Sequence, residues 1–421
     1  MSNSKRSIPP GLTGFGRSIK QYSMLVAFGV IAILLYVMTD GKLLYPMNVS
    51  NIVFQNAYVV ILAVGMLICI LTGGNIDLSV GSVVALISAC AGTFIISWKW
   101  NPYLSMLLCL GIGVMVGVWQ GFWIAYIRIP AFIVTLAGMM VFRGLALIIL
   151  NGLTLAPFPQ SFLQFSTGYV PGIGEGIVLF GNTVNLTSIL VGVLAAAVYC
   201  IITVMSANGK RKKGYSIQKP WAIAAKMVCI SAALIWFFYI LSRYRGIPTV
   251  LSILGVLILL YGYATKNTVV GRHIYALGGN QKAARLSGVK TQELLFLAYV
   301  NMGFLGAVAG LVFGARLNAA SPQAGIGFEL DAIAACFIGG ASAYGGIGTV
   351  GGALIGALIM GVLNNGMSIM GISSNMQQVV KGLVLLAAVA FDVISKQHIE
   401  LPKFFFLTGR RKHAAGAKQL M

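Results

Sequence analysis

Eight carboxylates and three histidines are the acid–base inventory of this 421-residue chain, and their spacing limits the chemistry it can perform. Asp40, Asp77, Glu175, Glu293, Glu329, Asp331, Asp392 and Glu400 form no pair at hydrolase spacing beside a base. His273, His398 and His413 all fall between or after the apolar runs. No nucleophile, base and orienting group come together, so no catalytic constellation is expected. The glycine clusters Gly345-Gly346-Ile347-Gly348 and Gly351-Gly352 lack the lysine of a phosphate loop, so any ATP that drives this protein is hydrolysed by another chain. Cys69, Cys90, Cys109, Cys200, Cys229 and Cys336 have neither CxxC nor histidine-bearing spacing and read as small hydrophobes.

What remains are polar side chains embedded in apolar sequence, which suit solute contact and gating. Asp77 and Ser79 stand in TGGNIDLSVGS (72–82), where glycines interrupt the helical pattern. A charge at membrane depth is costly unless it faces a cavity, a partner or a helix end. Asp77 therefore either lines a pathway or caps the helix that starts at Leu78. Glu329 and Asp331 can accept bonds from sugar hydroxyls, cap the helix that follows them, or pair with Arg316. Arg143 and Lys381 are cations within apolar runs, open to solute contact, snorkelling or an interhelical ion pair. Asn364 and Asn365 sit mid-helix, where amides bond across helices or to a solute.

The elements that must position these residues are membrane helices. The chain is 58% hydrophobic and 9% charged, with mean hydropathy +0.90, against about 25% charged for soluble chains. Apolar runs near the roughly 20 residues needed to cross a bilayer recur from Met24 to Ile394. The fold class is all-α, a polytopic integral membrane protein of about 10–12 crossings. They are expected at 22–38, 53–71, 79–98, 104–126, 131–150, 187–205, 222–242, 248–265, 293–314, 331–346, 349–368 and 376–395. The first run follows Lys5, Arg6, Arg17 and Lys20 but leads to TDGK, not a small-x-small cleavage site, and reads as a retained helix. Most of the 29 basic residues then share one side: the tail 1–21, loops 206–226 and 266–292, and the tail 396–421. The positive-inside rule makes that side, with both termini, cytoplasmic, and accounts for the net charge of +21 without nucleic acid.

A single transmembrane domain, 22–395, thus carries two notable connections. Loop 151–186, rich in Gly, Pro, Ser, Thr and Asn, lies outside, either as part of a mouth or as a passive linker. Loop 266–292 lies inside, with a short helix expected from Gln281 to Leu286, and is the candidate for docking a cytoplasmic protein. A weak internal repeat links Asp77, GVWQG (117–121), a break at 128–130 and Arg143-Gly144-Leu145 to Asp331, GVLNNG (361–366), a break at 371–375 and Lys381-Gly382-Leu383. The two copies start on opposite sides, as an inverted repeat with interrupted helices requires. Glycines concentrated in 303–356 at small-xxx-small spacing predict close helix packing.

At NIDLSVGS (75–82), IPAFIVTLAGMMVFRGL (129–145), GRHIYALGGNQKAARLSGV (271–289), ELDAIAACFIGGASAYGGIGTVGG (329–352) and NNGMSIM (364–370) the chain resembles the membrane subunits of bacterial carbohydrate-uptake ABC transporters, the ribose, galactose and xylose permeases. RYRGIPT (243–249) and the lysine-rich 206–226 make it most similar to the longer xylose and multiple-monosaccharide branch. The resemblance implies an inner-membrane permease moving a monosaccharide, xylose or a related sugar, from periplasm to cytoplasm. It implies a homodimer, a cytoplasmic ATPase, a periplasmic sugar-binding protein, no cofactor of the permease's own, and a fold like the vitamin B12 importer. It further implies that Gly278, Gly279, Asn280, Ala283, Ala284, Arg285, Leu286 and Gly288 form the ATPase-coupling segment. An ion-coupled secondary transporter of a small polar solute is the competing reading from the residues alone.

Overall fold

The computed structural model describes residues 24, 26–173, 177–179, 182–212, 214 and 220–397. The tail 1–21, residues 398–421, Glu175, Lys213 and 215–219 lie outside the described residues, as do His398, Glu400 and His413. Among the described residues ten helices are long and apolar enough to cross a membrane. In chain order the helices are α1 (Val26–Met38), α2 (Pro46–Leu71), α3 (Val80–Gly92), α4 (Pro102–Gly121), α5 (Ala131–Ile149), α6 (Gln160–Thr167), α7 (Leu186–Lys212), α8 (Pro220–Ser242), α9 (Thr249–Asn267), α10 (Val269–Gly279), α11 (Gln281–Leu286), α12 (Thr291–Leu317), α13 (Phe328–Ile338), α14 (Val350–Ile369) and α15 (Ser374–Gln397). A π-helical turn extends α3 over Thr93–Ser97, and another extends α4 over Phe122–Tyr126.

Prolines and short polar caps set where these helices begin. Pro46 and Pro102 occupy first helical positions, where the missing N–H costs nothing, and Asn101 accepts the Tyr103 N–H at 2.9 Å. Thr268 and Thr349 cap α10 and α14 through Gly271 and Gly352 N–H groups at 3.1 and 3.0 Å.

Helices α2 and α12 form the centre. They run antiparallel, with Tyr58 edge-on to Phe313 near one end and Cys69 beside the Ala298 carbonyl near the other. Around them the packing repeats: α4 lies against α12 as α14 lies against α2, α3 against α5 as α13 against α15, and α3 against α12 as α13 against α2. These pairings follow the predicted repeat. The close approaches depend on glycine. A Cβ on Gly303 would lie 2.7 Å from the Gly117 nitrogen, and one on Gly117 2.7 Å from the Val300 Cα. The α7–α8 hairpin sits at the periphery, with Gly192 against Phe238 and Leu241 buried beside Val49.

One expected crossing is corrected. The run 331–346 reads as a full span, but α13 stops at Ile338 and 339–349 continues without helix. Gly340, Gly345 and Gly346 there take φ of 82°, 85° and 69°, a conformation that glycine supplies without steric cost. Over its described residues the first run is helical from Val26 to Met38; residues 22, 23 and 25 at its expected start lie outside the described residues. Connection 151–186 is no passive linker over its described part: it holds α6, a two-residue bridge between Leu155 and Ala320, and the fully buried Phe162. A small antiparallel hairpin, β1 (Ile177–Leu179) with β2 (Asn182–Val184), follows.

The glycine contacts make a prediction. Gly303→Leu forces α4 from α12 and should cost at least the 1–3 kcal/mol typical of overpacking, seen as a lower melting temperature in detergent. Gly351→Ala, with nothing within 4 Å of its Cβ, should leave that temperature within a degree or two.

Candidate functional site

The first polar assembly forms where α13 begins inside the helix bundle. Asp331 is completely buried, and its Oδ2 accepts from Lys381 Nζ at 3.0 Å and from the Tyr58 hydroxyl at 2.9 Å. The pair joins α13 to α15 and α2. Its Oδ1 is buried without a partner. Of the sequence readings for Asp331 and Lys381, the interhelical ion pair is the one observed, and Lys381 takes the place considered for Arg316. Above it lies a cavity of about 280 Å³ lined by Gln55, Asn56, Arg316, Asn364, Gln377 and Lys381, with Tyr58, Phe313 and Phe328 as its aromatic wall. Tyr58 and Phe328 stack with centroids 3.7 Å apart. Amide, hydroxyl and charged groups beside aromatic carbon can bond hydroxyls and cover C–H faces of one small polar molecule. Asn364 faces this cavity; its Oδ1 is buried and unbonded. Asn365 does not reach it, being engaged by Asn48 at 2.9 and 3.1 Å and by Gln55 at 3.3 Å.

The second assembly is the break between α2 and α3. Asp77 Oδ1 accepts the Ser79 N–H at 2.8 Å and the Ser79 hydroxyl at 2.6 Å, and both side chains are buried. The helix therefore starts at Val80, two residues later than expected, with Asp77 bonding the turn before it. Gln120 of α4 donates to Ser79 Oγ at 2.5 Å, and Thr135 of α5 lies 3.5 Å from the Ile76 carbonyl. Asp77 and Ser79 serve here to hold a non-helical backbone inside the bundle; neither lines the Asp331 cavity.

Arg143 answers a third demand. Its Nη1 donates to the carbonyls of Pro322 and Ala324 at 2.8 and 2.5 Å, so this cation fixes the irregular segment 318–327 rather than an ion-pair partner on a helix. Glu329, half-buried one turn beyond, approaches Gly81, where a Cβ would lie 2.5 Å from its Oε2.

At the opposite end of the bundle, α10 and α11 bring the predicted coupling residues together. The expected short helix is α11, Gln281–Leu286, and Asn280 caps it by accepting the Ala283 N–H at 3.0 Å. Ala284 is buried, whereas Arg285 and Gly288 are exposed and Leu286 is 90% exposed. Gly278 is wedged against Leu71 and Gly346, and Gly346 against Gly279. Gly346 N–H donates to the Leu71 carbonyl at 3.1 Å, and the Tyr275 hydroxyl to the Gly348 carbonyl at 2.7 Å. Burial raises the Tyr275 pKa above its ordinary value, which keeps that donor protonated. A polar cavity of about 600 Å³ separates α11 from the broken segment at Thr72, Gly73 and Asn75, with Arg128, Lys282 and Arg285 on its walls.

Sequence reasoning missed Tyr58, Gln55, Asn56, Gln120 and Asp392. The last is buried on α15 and accepts the Ala343 N–H at 3.2 Å. Each is a polar residue within an apolar run, the signal that did mark Arg143 and Lys381. The ordinary frequency of Tyr, Asn and Gln in membrane helices concealed the others.

A bundle of crossing helices, broken three times among the described residues around buried charge and a polar cavity, has the build of a permease: it offers a polar solute a path across lipid. The chain belongs to the family described as the branched-chain amino acid transport system permease component, which it matches over residues 48–389. It is 37% identical to the xylose transport system permease protein XylH of Haemophilus influenzae over 384 residues, 90% of this chain and 98% of that protein. XylH of Escherichia coli K12 matches at 37% over 402 residues, 94% and 98% of the two chains. The ribose import permease protein RbsC of the same strain matches at 35% over 345 residues, 82% and 85%. No solved structure matches the chain significantly, so the likeness to the vitamin B12 importer rests on the sequence resemblance.

Breaking one partner of the buried pair strands a charge at membrane depth. Lys381→Met should destabilise the protein by about 3–5 kcal/mol, and Lys381→Met with Asp331→Asn by clearly less. Melting of the purified variants measures both; equal losses would show that the charge is not what the pair compensates.

Proposed function

We propose that this chain is the membrane-spanning permease subunit of an ATP-binding-cassette importer that carries a monosaccharide, xylose or a related pentose or hexose, from periplasm to cytoplasm. The observation that carries this reading is the match to xylose permeases along nine-tenths or more of both chains. The cavity beside Asp331 and Lys381 supports it, because its size and its mixture of amides, charges and aromatic carbon suit a polyhydroxylated ring. A cytoplasmic ATPase supplies the hydrolysis, a periplasmic sugar-binding protein delivers the sugar, and two copies of the chain form the permease. The protein lies in the bacterial inner membrane with both termini cytoplasmic.

In this reading α11 is the surface on which the ATPase pushes. The motion passes from Gly278 and Gly279 to segment 339–349 and on to α13, which carries Asp331. Alternating access then consists of α13 moving relative to α2 and α15, with the Lys381 and Tyr58 contacts holding one position. Of the proposed pathway residues, Asn364 and Lys381 line the cavity and border the solute, Asp331 lies behind them bonded to Lys381, and Asp77, Ser79, Arg143, Glu329 and Asn365 hold the elements around it.

The chain should co-purify with an ATPase whose hydrolysis rises when sugar-loaded binding protein is added, and reconstituted vesicles should take up xylose only with ATP. Absence of both effects, or uptake that follows an ion gradient without ATPase, overturns the proposal. Arg285→Ala and Gly288→Val should each lower ATPase co-purification severalfold with membrane insertion unchanged. Gly288 takes φ 83°, so valine there distorts the turn that follows α11. Normal association in both variants would remove the coupling assignment.

A further inference from the structure

A groove separate from the solute cavity runs along the membrane-facing side of the molecule between α9, α10 and α12. Its volume is about 430 Å³, on the scale of one hydrocarbon chain, and its walls include Ala264, Thr265, Ile274, Leu297, Asn301 and Phe304. It extends from Thr268 and Gly271, at the α10 end, to Phe304, about midway along α12. The threonine hydroxyls in its wall are spent on their own helices: Thr265 donates to the Tyr261 carbonyl at 2.7 Å and Thr268 to the Ala264 carbonyl at 2.6 Å. The surface offered is therefore hydrocarbon, with one exception. Asn301 accepts from the Tyr261 hydroxyl, while its Nδ2 is buried without a partner.

Exposed charge beside the groove is mainly positive: the one carboxylate next to a lining residue, Glu293 beside Leu294, is paired with Lys290 at 3.0 Å. Lys266 and Arg272 are exposed and interleave in sequence with the lining residues Thr265, Thr268 and Gly271. From Lys266 to Lys290 the chain has no Asp or Glu. An apolar slot that ends in cations at a membrane surface fits a lipid with a hydrocarbon tail and an anionic head. We propose that the groove binds an anionic glycerophospholipid from the leaflet on the α10–α11 side, one acyl chain lying between α9 and α12 and the phosphate at Lys266 and Arg272. Because α10 leads directly into the segment wedged against Gly346, the bound lipid steadies the element that links α11 to the broken helices. This site does not depend on which solute the permease carries.

The test uses the full chain, extracted from nanodiscs of phosphatidylcholine with increasing phosphatidylglycerol and weighed by native mass spectrometry. The wild type should retain phosphatidylglycerol in preference to phosphatidylcholine. Lys266→Gln and Arg272→Gln should each cut that preference roughly fivefold. Ala264→Trp, which fills the slot, should abolish retention of either lipid; Leu297→Trp, at an exposed site on the α12 wall, serves if Ala264→Trp does not insert. Equal retention of the two lipids by the wild type overturns the proposal. So does retention unaffected by the tryptophan variants, or a tryptophan variant that dissolves a dimer while keeping its lipid, which would make a second copy of the chain the occupant.

Discussion

A peptide group that leaves the helix inside a bilayer has no water to turn to, so protein must answer its N–H and C=O. This chain breaks its helical backbone within the bundle around 72–79, 318–327 and 339–349, and the arrangement of the remaining elements follows from satisfying those breaks. Asp77 serves the first through the Ser79 N–H. Arg143 and the Leu155–Ala320 bridge, with N–H to carbonyl distances of 3.0 and 2.8 Å, serve the second. Asp392, Leu71 and Tyr275 serve the third. The groups that serve the second and third breaks come from α2, α5, α10, α15 and the connection after α5, so those breaks tie together elements distant in sequence. The ties explain why a connection such as 151–186 is built into the fold.

The same constraint explains the glycines. A segment that borrows its partners from neighbouring backbone must come within bonding distance of that backbone, and a Cβ would intervene. Gly346 lies against Gly278 and Gly279, and Gly345 against Gly73 and Gly74. Segments that belong to different parts of the chain thus meet at one place, without side chains between them. Such a junction transmits displacement well, because it has no flexible side chain to absorb the motion. Positive φ at Gly345 and Gly346 fixes their identity a second time.

How legible this was in the sequence depended on the kind of signal. Long apolar runs announced the crossings, since a period and a length survive in one dimension, and Gln281–Leu286 was legible because Asn280 supplies a cap directly before it. The true length of α13 was not. Residues 331–346 are apolar enough for a span, and only the clustering of Gly339, Gly340, Gly345, Gly346 and Gly348 hints that hydrophobicity there covers irregular backbone. The charged members of the site stood out because charge is rare in membrane helices. Their partners did not. Nearness in sequence pairs Asp331 with Arg316, 15 positions earlier, whereas its partner Lys381 lies 50 positions away and becomes a neighbour only when α13 packs on α15.

In the proposed reading, the Asp331 cluster places the site for solute beside the element that moves. An ion pair deep in a bundle gains from Coulomb attraction but loses hydration, and its net worth depends on the remaining lone pairs being satisfied. Here Oδ2 is bonded twice and Oδ1 not at all, and the neighbouring Asn364 Oδ1 is likewise unbonded. Asn364 lines the cavity, so in the proposed reading a hydroxyl-bearing molecule relieves that acceptor's cost by donating to it, whereas Asp331, fully buried behind the cavity wall, is reached only when α13 moves. A solute that does so binds most tightly to the arrangement of α13 in which those acceptors face the cavity. It therefore biases the position of α13 by as much as its contacts differ between the two arrangements. Because α13 continues into the glycine junction against α10, the proposed bias has a route to the far face through backbone.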